Sequence, residues 1–275
     1  MDPIATRIEH DSLGEVRVPA TAYWGAQTAR AIANFPISGV RLSHYPHLIA
    51  ALAMVKAAAA RANAALGTLS AAKCRAIVGA AEEVMAGKLT EQFPIDVIQG
   101  GAGTSTNMNM NEVLANRGLE LLGRPRGDYE ALHPNDDVNM SQSTNDAYPT
   151  AVRVAILLSS GALRSALENL ASAFERKAAE FAHVLKLGRT EMQDAVPMTL
   201  GEELGAFAVT VREDIQRLAE VARLLHEVNL GGTAIGTGIN TEPGYAARAI
   251  AELSALSGFA LVASPNLFEA SWDMG

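Results

Sequence analysis

The sequence contains one cysteine, few aromatic residues and no cluster of basic residues. Cys74 is the only cysteine among 275 residues, which excludes an intrachain disulfide and a cysteine-based metal site. The chain has 22 lysine and arginine residues against 30 aspartate and glutamate residues, a net charge of −8. This charge argues against nucleic acid and anionic membrane surfaces as partners. Aromatic residues make up 5% of a chain that is 49% hydrophobic, and alanine and leucine dominate, as in tightly packed helices.

No targeting or membrane segment is evident in the sequence. The N-terminal residues lack the charged-then-apolar order of a signal peptide. The longest apolar runs are shorter than the ~20 residues that a membrane-spanning helix needs. We therefore expect a cytoplasmic protein without a membrane partner. A chain of 275 residues is long enough for one or two domains with a sizeable core.

The pattern of apolar residues predicts a mainly α fold. A short strand pair is expected around Val16 and Val18. The chain is expected to divide near residue 140, into an N-terminal mixed and helical domain (residues 1–140) and a long-helix bundle (residues 141–275). Spacing and capping signals predict helices over residues 46–66, 70–85, 108–122, 146–181, 199–225 and 245–256.

Residues 204–225 indicate that the bundle is shared between subunits. Apolar residues recur there at alternating steps of four and three, which is the pattern of a coiled-coil seam. One short chain cannot cover helices that are this long and this apolar. We therefore expect the bundle helices to pack against other copies of the chain.

The most informative segment is residues 99–112, where four small residues lead into hydroxyl and amide side chains. Glycine lets the backbone approach a ligand, and the N–H groups at a helix start attract anions. Thr104, Ser105 and Asn107 add uncharged donors. The segment predicts a pocket for a small carboxylate or phosphate, with a plain turn and helix cap as the alternative. It is not a P-loop, because no Lys-Ser/Thr pair closes the glycine run.

Two further segments, residues 133–150 and 187–201, place short polar side chains at the starts of long predicted helices. Such clusters are costly to desolvate unless they bind something or satisfy each other. Structural interpretations stay open for each of them. Residues 143–146 have the sequence of a helix N-cap, His133 can be a loop histidine, and Thr190 can make a loop hydrogen bond.

Together these segments resemble the fumarase/aspartase superfamily, and within it the aspartase branch. Ordered matches run from residue 7 to the last residue and include residues 22–28, 34–38, 92–96 and 231–240. The resemblance implies a homotetramer with a central helical bundle and with active sites shared between subunits. It implies no cofactor and no metal ligands, and it leaves activation by a divalent cation open.

The chemistry that the resemblance implies is the elimination of ammonia from L-aspartate to give fumarate. A base removes a proton beside the distal carboxylate, which gathers charge as an enediolate, and preplaced neutral donors lower the barrier by stabilising that charge. By resemblance, the substrate-binding residues are Thr104, Ser143, Thr144, Asn145 and Thr190. A second carboxylate-binding spot, described for the fumarase branch, corresponds to His133, Asn135 and Asp136.

The resemblance extends only to the middle of the family's central helical domain. The family's mobile loop, which carries the catalytic serine base, and its Lys-x-Asn substrate contacts have no match here. No catalytic residue is therefore expected within residues 1–275, and the chain alone is expected to be inactive. It is either a fragment of a longer enzyme or the product of a truncated gene.

Three functions stay open: aspartase, class II fumarate hydratase, and a non-catalytic truncated subunit. Ala102, Thr144 and residues 195–198 favour the first, because the fumarase branch is expected to have serine at positions 102 and 144 and histidine at position 191. Glu191 departs from that histidine and also from the glutamine frequent among aspartases. Its role is therefore uncertain.

Overall fold

The computed structural model describes residues 5–273 and is mainly α, as predicted. The helices are α1 (Ala26–Asn34), α2 (Pro46–Ala65), α3 (Ala71–Met85), α4 (Thr104–Leu121), α5 (Thr144–Glu180), α6 (Leu200–Ala222) and α7 (Tyr245–Ser257). Three two-stranded sheets are formed by β1 (Thr6–Asp11) with β2 (Gly14–Pro19), β3 (Leu185–Thr190) with β4 (Gln193–Thr199), and β5 (Glu227–Val228) with β6 (Val262–Ala263). Short 3-10 turns lie at Leu42–His44, Thr90–Gln92, Leu224–His226 and Glu269–Ser271, and a π-helical turn at Pro134–Val138.

The predicted helix boundaries are confirmed where a local capping signal marks them. The side chain of Ser70 accepts a hydrogen bond from Lys73 N at the start of α3. Gly67, just past the end of α2, has a φ of 81°, a conformation that glycine adopts without a steric penalty. Thr199 and Glu202 form the expected capping box at the start of α6.

Three elements differ from the sequence-based expectation. Helix α4 begins at Thr104 rather than Met108, because Gly103 takes a left-handed conformation as its N-cap. The Gly, Pro, Asn and Asp residues of 123–142 favour a loop, but Pro134–Val138 forms the π-helical turn there. Residues 185–199 form the β3–β4 hairpin, which was not predicted.

Of the described residues, 5–156 and 226–273 form one compact unit. Its core is α2, which packs against α3 and α7. Ala53, Ala57 and Ala58 are fully buried, and these small side chains let neighbouring helices approach closely. Helix α7 returns to pack on α2, and the expected division of the chain near residue 140 stays a prediction.

Helix α1 is held by a carboxylate from another helix of the same unit. The buried side chain of Glu112 in α4 accepts hydrogen bonds from the backbone N–H groups of Gly25 (2.8 Å), Gln27 (2.7 Å) and Thr28 (3.1 Å). A carboxylate at a helix N-terminus satisfies its first N–H groups and complements the helix dipole.

Residues 157–225 form a second compact unit, made of the later turns of α5, the β3–β4 hairpin and α6. The two helices pack antiparallel. The rings of Phe174 and Phe207 lie 5.6 Å apart, and Arg212 Nε pairs with Glu175 Oε1 at 2.9 Å. At the hairpin end, Gly201 lies directly against the backbone of Ala182.

The expectation that no apolar segment is long enough to span a bilayer was wrong. Helices α2 and α5 both have the length and composition of a membrane-crossing helix, because few charges interrupt their apolar windows. In α2, 67% of the 18-residue apolar stretch is buried within the protein, and in α5 33% of it is buried. The core helix of a soluble protein meets the same criteria, and α2 is packed as such a helix.

Candidate functional site

The glycine-rich loop ends in a tight contact with the first turn of α5. Gly103 has a φ of 88°, and the ring of Tyr148 occupies the space where a β-carbon on residue 103 would lie. Gln99 braces the loop: its Oε1 accepts from Thr106 N at 2.9 Å and its Nε2 donates to Thr106 Oγ1 at 3.0 Å. These bonds leave Thr104 exposed at the start of α4.

Residues 143–146 cap α5, as their sequence suggests. Ser143 Oγ accepts from Asn145 N at 3.2 Å, and Asp146 Oδ1 accepts from Ser143 N at 2.9 Å. The hydroxyl of Ser143 retains its own proton to donate, since it serves here as an acceptor. Capping therefore leaves this hydroxyl able to donate a hydrogen bond to a ligand.

The loop that starts at residue 229 supports this turn from the other side. Asn145 Nδ2 donates to Ala234 O at 2.7 Å, and Asp146 Oδ2 accepts from Gly231 N at 2.9 Å and from Thr233 N at 3.0 Å. Burial raises the pKa of the Asp146 carboxyl, and the three backbone donors oppose that rise. The glycine-containing residues 231–240 thus serve as packing and backbone donors, without forming a dinucleotide fingerprint.

A cavity of about 270 Å³ connects the two polar segments. Ala102 of the glycine-rich loop and Asn145 of the capped turn both line it, together with Tyr148, Pro149 and residues 270–273. The structure therefore brings the loop before α4 and the turn before α5 to one place. The hydroxyl and amide groups of this turn can donate hydrogen bonds to a carboxylate, but none of them is a base near neutral pH.

Thr190 and Glu191 belong to the second unit, at the tip of the β3–β4 hairpin. Thr190 pairs with Gln193, and Glu191 and Met192 form the two-residue turn with φ values of 47° and 61°. Two successive residues at positive φ are typical of a type I′ hairpin turn. Arg189 Nε contacts Asp194 Oδ1 at 3.4 Å, which identifies it as an ion-pair partner across the hairpin.

His133 caps the π-helical turn Pro134–Val138. Its Nδ1 accepts from Asn135 N at 3.2 Å and from Asp136 N at 3.0 Å, while the backbone N–H of His133 donates to Asp137 Oδ2 at 2.8 Å. The backbone donors of residues 135 and 136 are thus already engaged by the imidazole. A second carboxylate-binding spot at His133, Asn135 and Asp136 stays a prediction.

A buried polar cluster that the sequence pattern did not predict lies next to the capped turn. Lys56 is fully buried in α2, and its Nζ donates to Asn139 Oδ1 at 2.8 Å and to Gln142 Oε1 at 2.9 Å. Burial lowers the pKa of Lys56 to about 7, and the charge of Asp146 opposes this shift. A single lysine in an alanine-rich apolar helix was the signal that could have revealed it.

Within residues 5–273, no group of three or more His, Cys, Asp or Glu side chains is placed to hold a metal ion. The expectations of no metal ligands and no cofactor stay predictions. Cys74 is partly buried, and burial raises the pKa of its thiol, as expected for an unreactive packing residue.

Comparison with known proteins places the chain in a family. A family model described as "Lyase" matches residues 14–274, so the chain belongs to this lyase family, within the fumarase/aspartase superfamily. The aspartate ammonia-lyase of Pseudomonas aeruginosa is 58% identical over 100% of this chain and 58% of its own length. That of Escherichia coli K12 is 52% identical over 98% of this chain and 56% of its own length. The chain thus spans little more than half the length of these curated relatives.

Solved structures share the fold. The cobalt-bound crystal structure of fumarate lyase:delta crystallin from Brucella melitensis matches 98% of this chain and 59% of its own, with a TM-score of 0.96 and 62% identity. Recombinant class II fumarase from Schistosoma mansoni matches 97% of this chain and 59% of its own, with a TM-score of 0.89 and 35% identity. The mainly α architecture is therefore that of this superfamily.

Proposed function

We propose that the protein is an aspartate ammonia-lyase, which eliminates ammonia from L-aspartate to give fumarate. The observation that carries this proposal is sequence identity of 52–58% to aspartate ammonia-lyases across the described chain, against 35% to a class II fumarase. The cavity between the glycine-rich loop and the capped turn supports it, because Asn145 lines this cavity and its side-chain amide can donate to a carboxylate.

The proposed roles follow from where charge develops. Ser143, Thr144 and Asn145 hold the carboxylate that becomes an enediolate, and Thr104 adds a donor from the start of α4. Hydroxyl and amide donors that are already fixed in place need little reorganisation as charge grows. Thr190 lies on the hairpin of the second unit, and the resemblance implies that it contributes to a site shared between copies of the chain.

The proton-abstracting base is proposed to come from outside residues 1–275. The resemblance assigns that task to a serine on a mobile loop with no match in this sequence. Residues 1–275 thus provide substrate binding and charge stabilisation, with no catalytic residue of their own.

Class II fumarate hydratase is disfavoured by three positions. Ala102, Thr144 and Glu191 differ from the serine, serine and histidine expected in that branch. Water addition needs a group that orients or activates water, and histidine suits this because its pKa lies near neutrality. A carboxylate at position 191 that faces the substrate repels dianionic fumarate and attracts an ammonium group, whereas one that pairs with Arg189 favours neither substrate.

The assembly that we propose is a homotetramer in the cytoplasm, with L-aspartate and fumarate as its small-molecule ligands and without nucleic acid or membrane partners. Large apolar side chains on α6 support an oligomer, since Phe207, Val209 and Val221 are each about half exposed, at 48%, 59% and 58%. Monomeric soluble proteins rarely leave such surfaces open. Other copies of α5 and α6 are proposed to cover them.

The test is to express the protein continued to the length of its curated relatives and to follow fumarate absorbance with L-aspartate. Fumarate release that depends on L-aspartate supports the proposal. Absence of turnover by a correctly folded tetramer contradicts it and favours the non-catalytic subunit.

A further inference from the structure

Lys56 contacts none of the proposed substrate-binding residues, yet it is one of the few fully buried charged side chains. It lies in the middle of α2, and both of its hydrogen-bond acceptors are neutral amide oxygens, on Asn139 and Gln142. Burying an ammonium group is costly, and a packed apolar side chain is often at least as stabilising. Stability of α2 alone therefore does not account for a lysine at this position.

The first acceptor, Asn139, connects three parts of the fold. Its Oδ1 accepts from Lys56 Nζ at 2.8 Å and also from the side-chain amides of Asn107 (3.0 Å) and Asn111 (3.2 Å). Asn107 and Asn111 lie on α4, within the first two turns after Thr104. One oxygen atom thus ties α2 and α4 to the turn that precedes α5.

The second acceptor, Gln142, immediately precedes Ser143. Its Nε2 donates to Val138 O at 3.0 Å and to Met140 O at 3.1 Å, so the side chain bonds back to the backbone of its own turn. Asn139 Nδ2 donates to Gln142 O at 3.3 Å, which joins the first and last residues of the turn. Lys56 therefore holds both ends of residues 139–142, directly beneath the proposed carboxylate donors.

Building on the proposed function, we infer that Lys56 is a positioning residue for the carboxylate site. Through Asn139 it fixes the start of α4, which carries Thr104, and through Gln142 it fixes the turn that carries Ser143, Thr144 and Asn145. Precise placement matters because small displacements of binding groups cost large factors in rate.

The test uses the protein continued to the length of its curated relatives, with Lys56→Met as the main variant. Methionine has a similar length but no charge and no N–H donors. We expect kcat/KM for L-aspartate to fall about 100-fold, with a higher KM and a lower kcat. Arg61→Met is the matched control, because Arg61 lies on the same helix but pairs with Glu82 and Glu252. It should leave kcat/KM within about threefold of the unmodified protein.

Asn139→Ala tests the same connection while leaving Lys56 in place. We expect the same rise in KM, and in the double variant the two effects should not add, because Lys56 acts through Asn139. A folded Asn139→Ala protein with unchanged kcat/KM overturns the inference, as does a fully additive double variant. If Lys56→Met does not fold, Asn139→Ala alone decides. Wild-type turnover tests the proposed function separately, since these variants are judged only by their ratio to it.

Discussion

The ring of Tyr148 lies in the space that a β-carbon on residue 103 would occupy, and Gly103 itself has a φ of 88°. The glycine-rich loop can therefore meet the first turn of α5 only because residue 103 has no side chain. This contact joins the two chain segments that carry Thr104 and the donors of residues 143–145. The geometry of the proposed site depends on it.

Gly103→Ala should consequently destabilise the protein by roughly 2–5 kcal/mol. Part of this cost comes from holding a residue with a β-carbon in a left-handed conformation, and the rest comes from overpacking against the ring of Tyr148. Gly123→Ala is the control, because Gly123 also has a positive φ (72°) but nothing within 4 Å of the added carbon. It should cost about 1–2 kcal/mol. Urea unfolding measures both variants, and equal losses would contradict the importance of the Tyr148 contact.

Removing a donor should affect the chemical step more than substrate binding. In the protein continued to the length of its relatives, Thr144→Ala or Thr190→Ala should lower kcat more than it raises KM, by about 2–4 kcal/mol of transition-state stabilisation. Asn145→Ala should lower kcat similarly, and it should cost more because it also removes the hydrogen bond to Ala234 O.

Two comparison variants sharpen that measurement. Glu191→Gln should be tolerated better than Thr190→Ala, because a side-chain amide keeps polar contacts at the hairpin turn. Thr90→Ala should leave kcat unchanged, since its hydroxyl donates to Gly87 O in a turn that carries no proposed site residue. If kcat survives in all the Thr144, Asn145 and Thr190 variants, these residues are helix caps and turn residues only.

Asp96 should make stability depend on acid pH. The Ser38 hydroxyl, with the backbone N–H groups of Ile98, Gly39 and Ser38, holds the pKa of Asp96 at about 2, below its usual 3.8. Because the pKa is lower in the folded state, the stabilisation is complete above about pH 4 and is lost as pH falls towards 2. Asp96→Asn should therefore be less stable than wild type at neutral pH, and the difference should shrink as pH approaches 2. Urea midpoints across this range test it, and a constant difference would contradict it.

Residues 1–275 alone should show no measurable lyase activity. The proposed base and the Lys-x-Asn contacts lie outside this segment, and the exposed apolar side chains of α6 should also favour loose association or aggregation. Fumarate absorbance with L-aspartate, together with the mass of the particle in solution, tests both statements. Turnover near that of a full-length relative would show that the base lies within these residues.

Local signals explain why much of the fold could be predicted. Ser70, Gly67 and the Thr199–Glu202 capping box mark helix ends through bonds to residues a few positions away. The β3–β4 hairpin was not predicted, because Glu191 and Met192 are not the Asn-Gly type of residue that identifies a two-residue turn. Its strands are exposed, so the alternating apolar pattern of a buried face was weak as well.

The candidate site was only partly predictable for a different reason. The polar residues at positions 104 and 143–145 stand out in sequence, but the groups that hold them are remote. Lys56 and Asn139 are 83 positions apart, and Asn145 and Ala234 are 89 apart. Hydrogen bonds over such separations leave no periodic pattern in the sequence.

The most direct test of the central claim compares L-aspartate and L-malate at equal concentrations, using the protein continued to the length of its curated relatives. Fumarate absorbance reports both eliminations on the same scale. Neutral donors in the capped turn and a carboxylate at Glu191 predict fumarate from L-aspartate, with little or none from L-malate. Faster release of fumarate from L-malate would contradict the account and identify the protein as a fumarate hydratase.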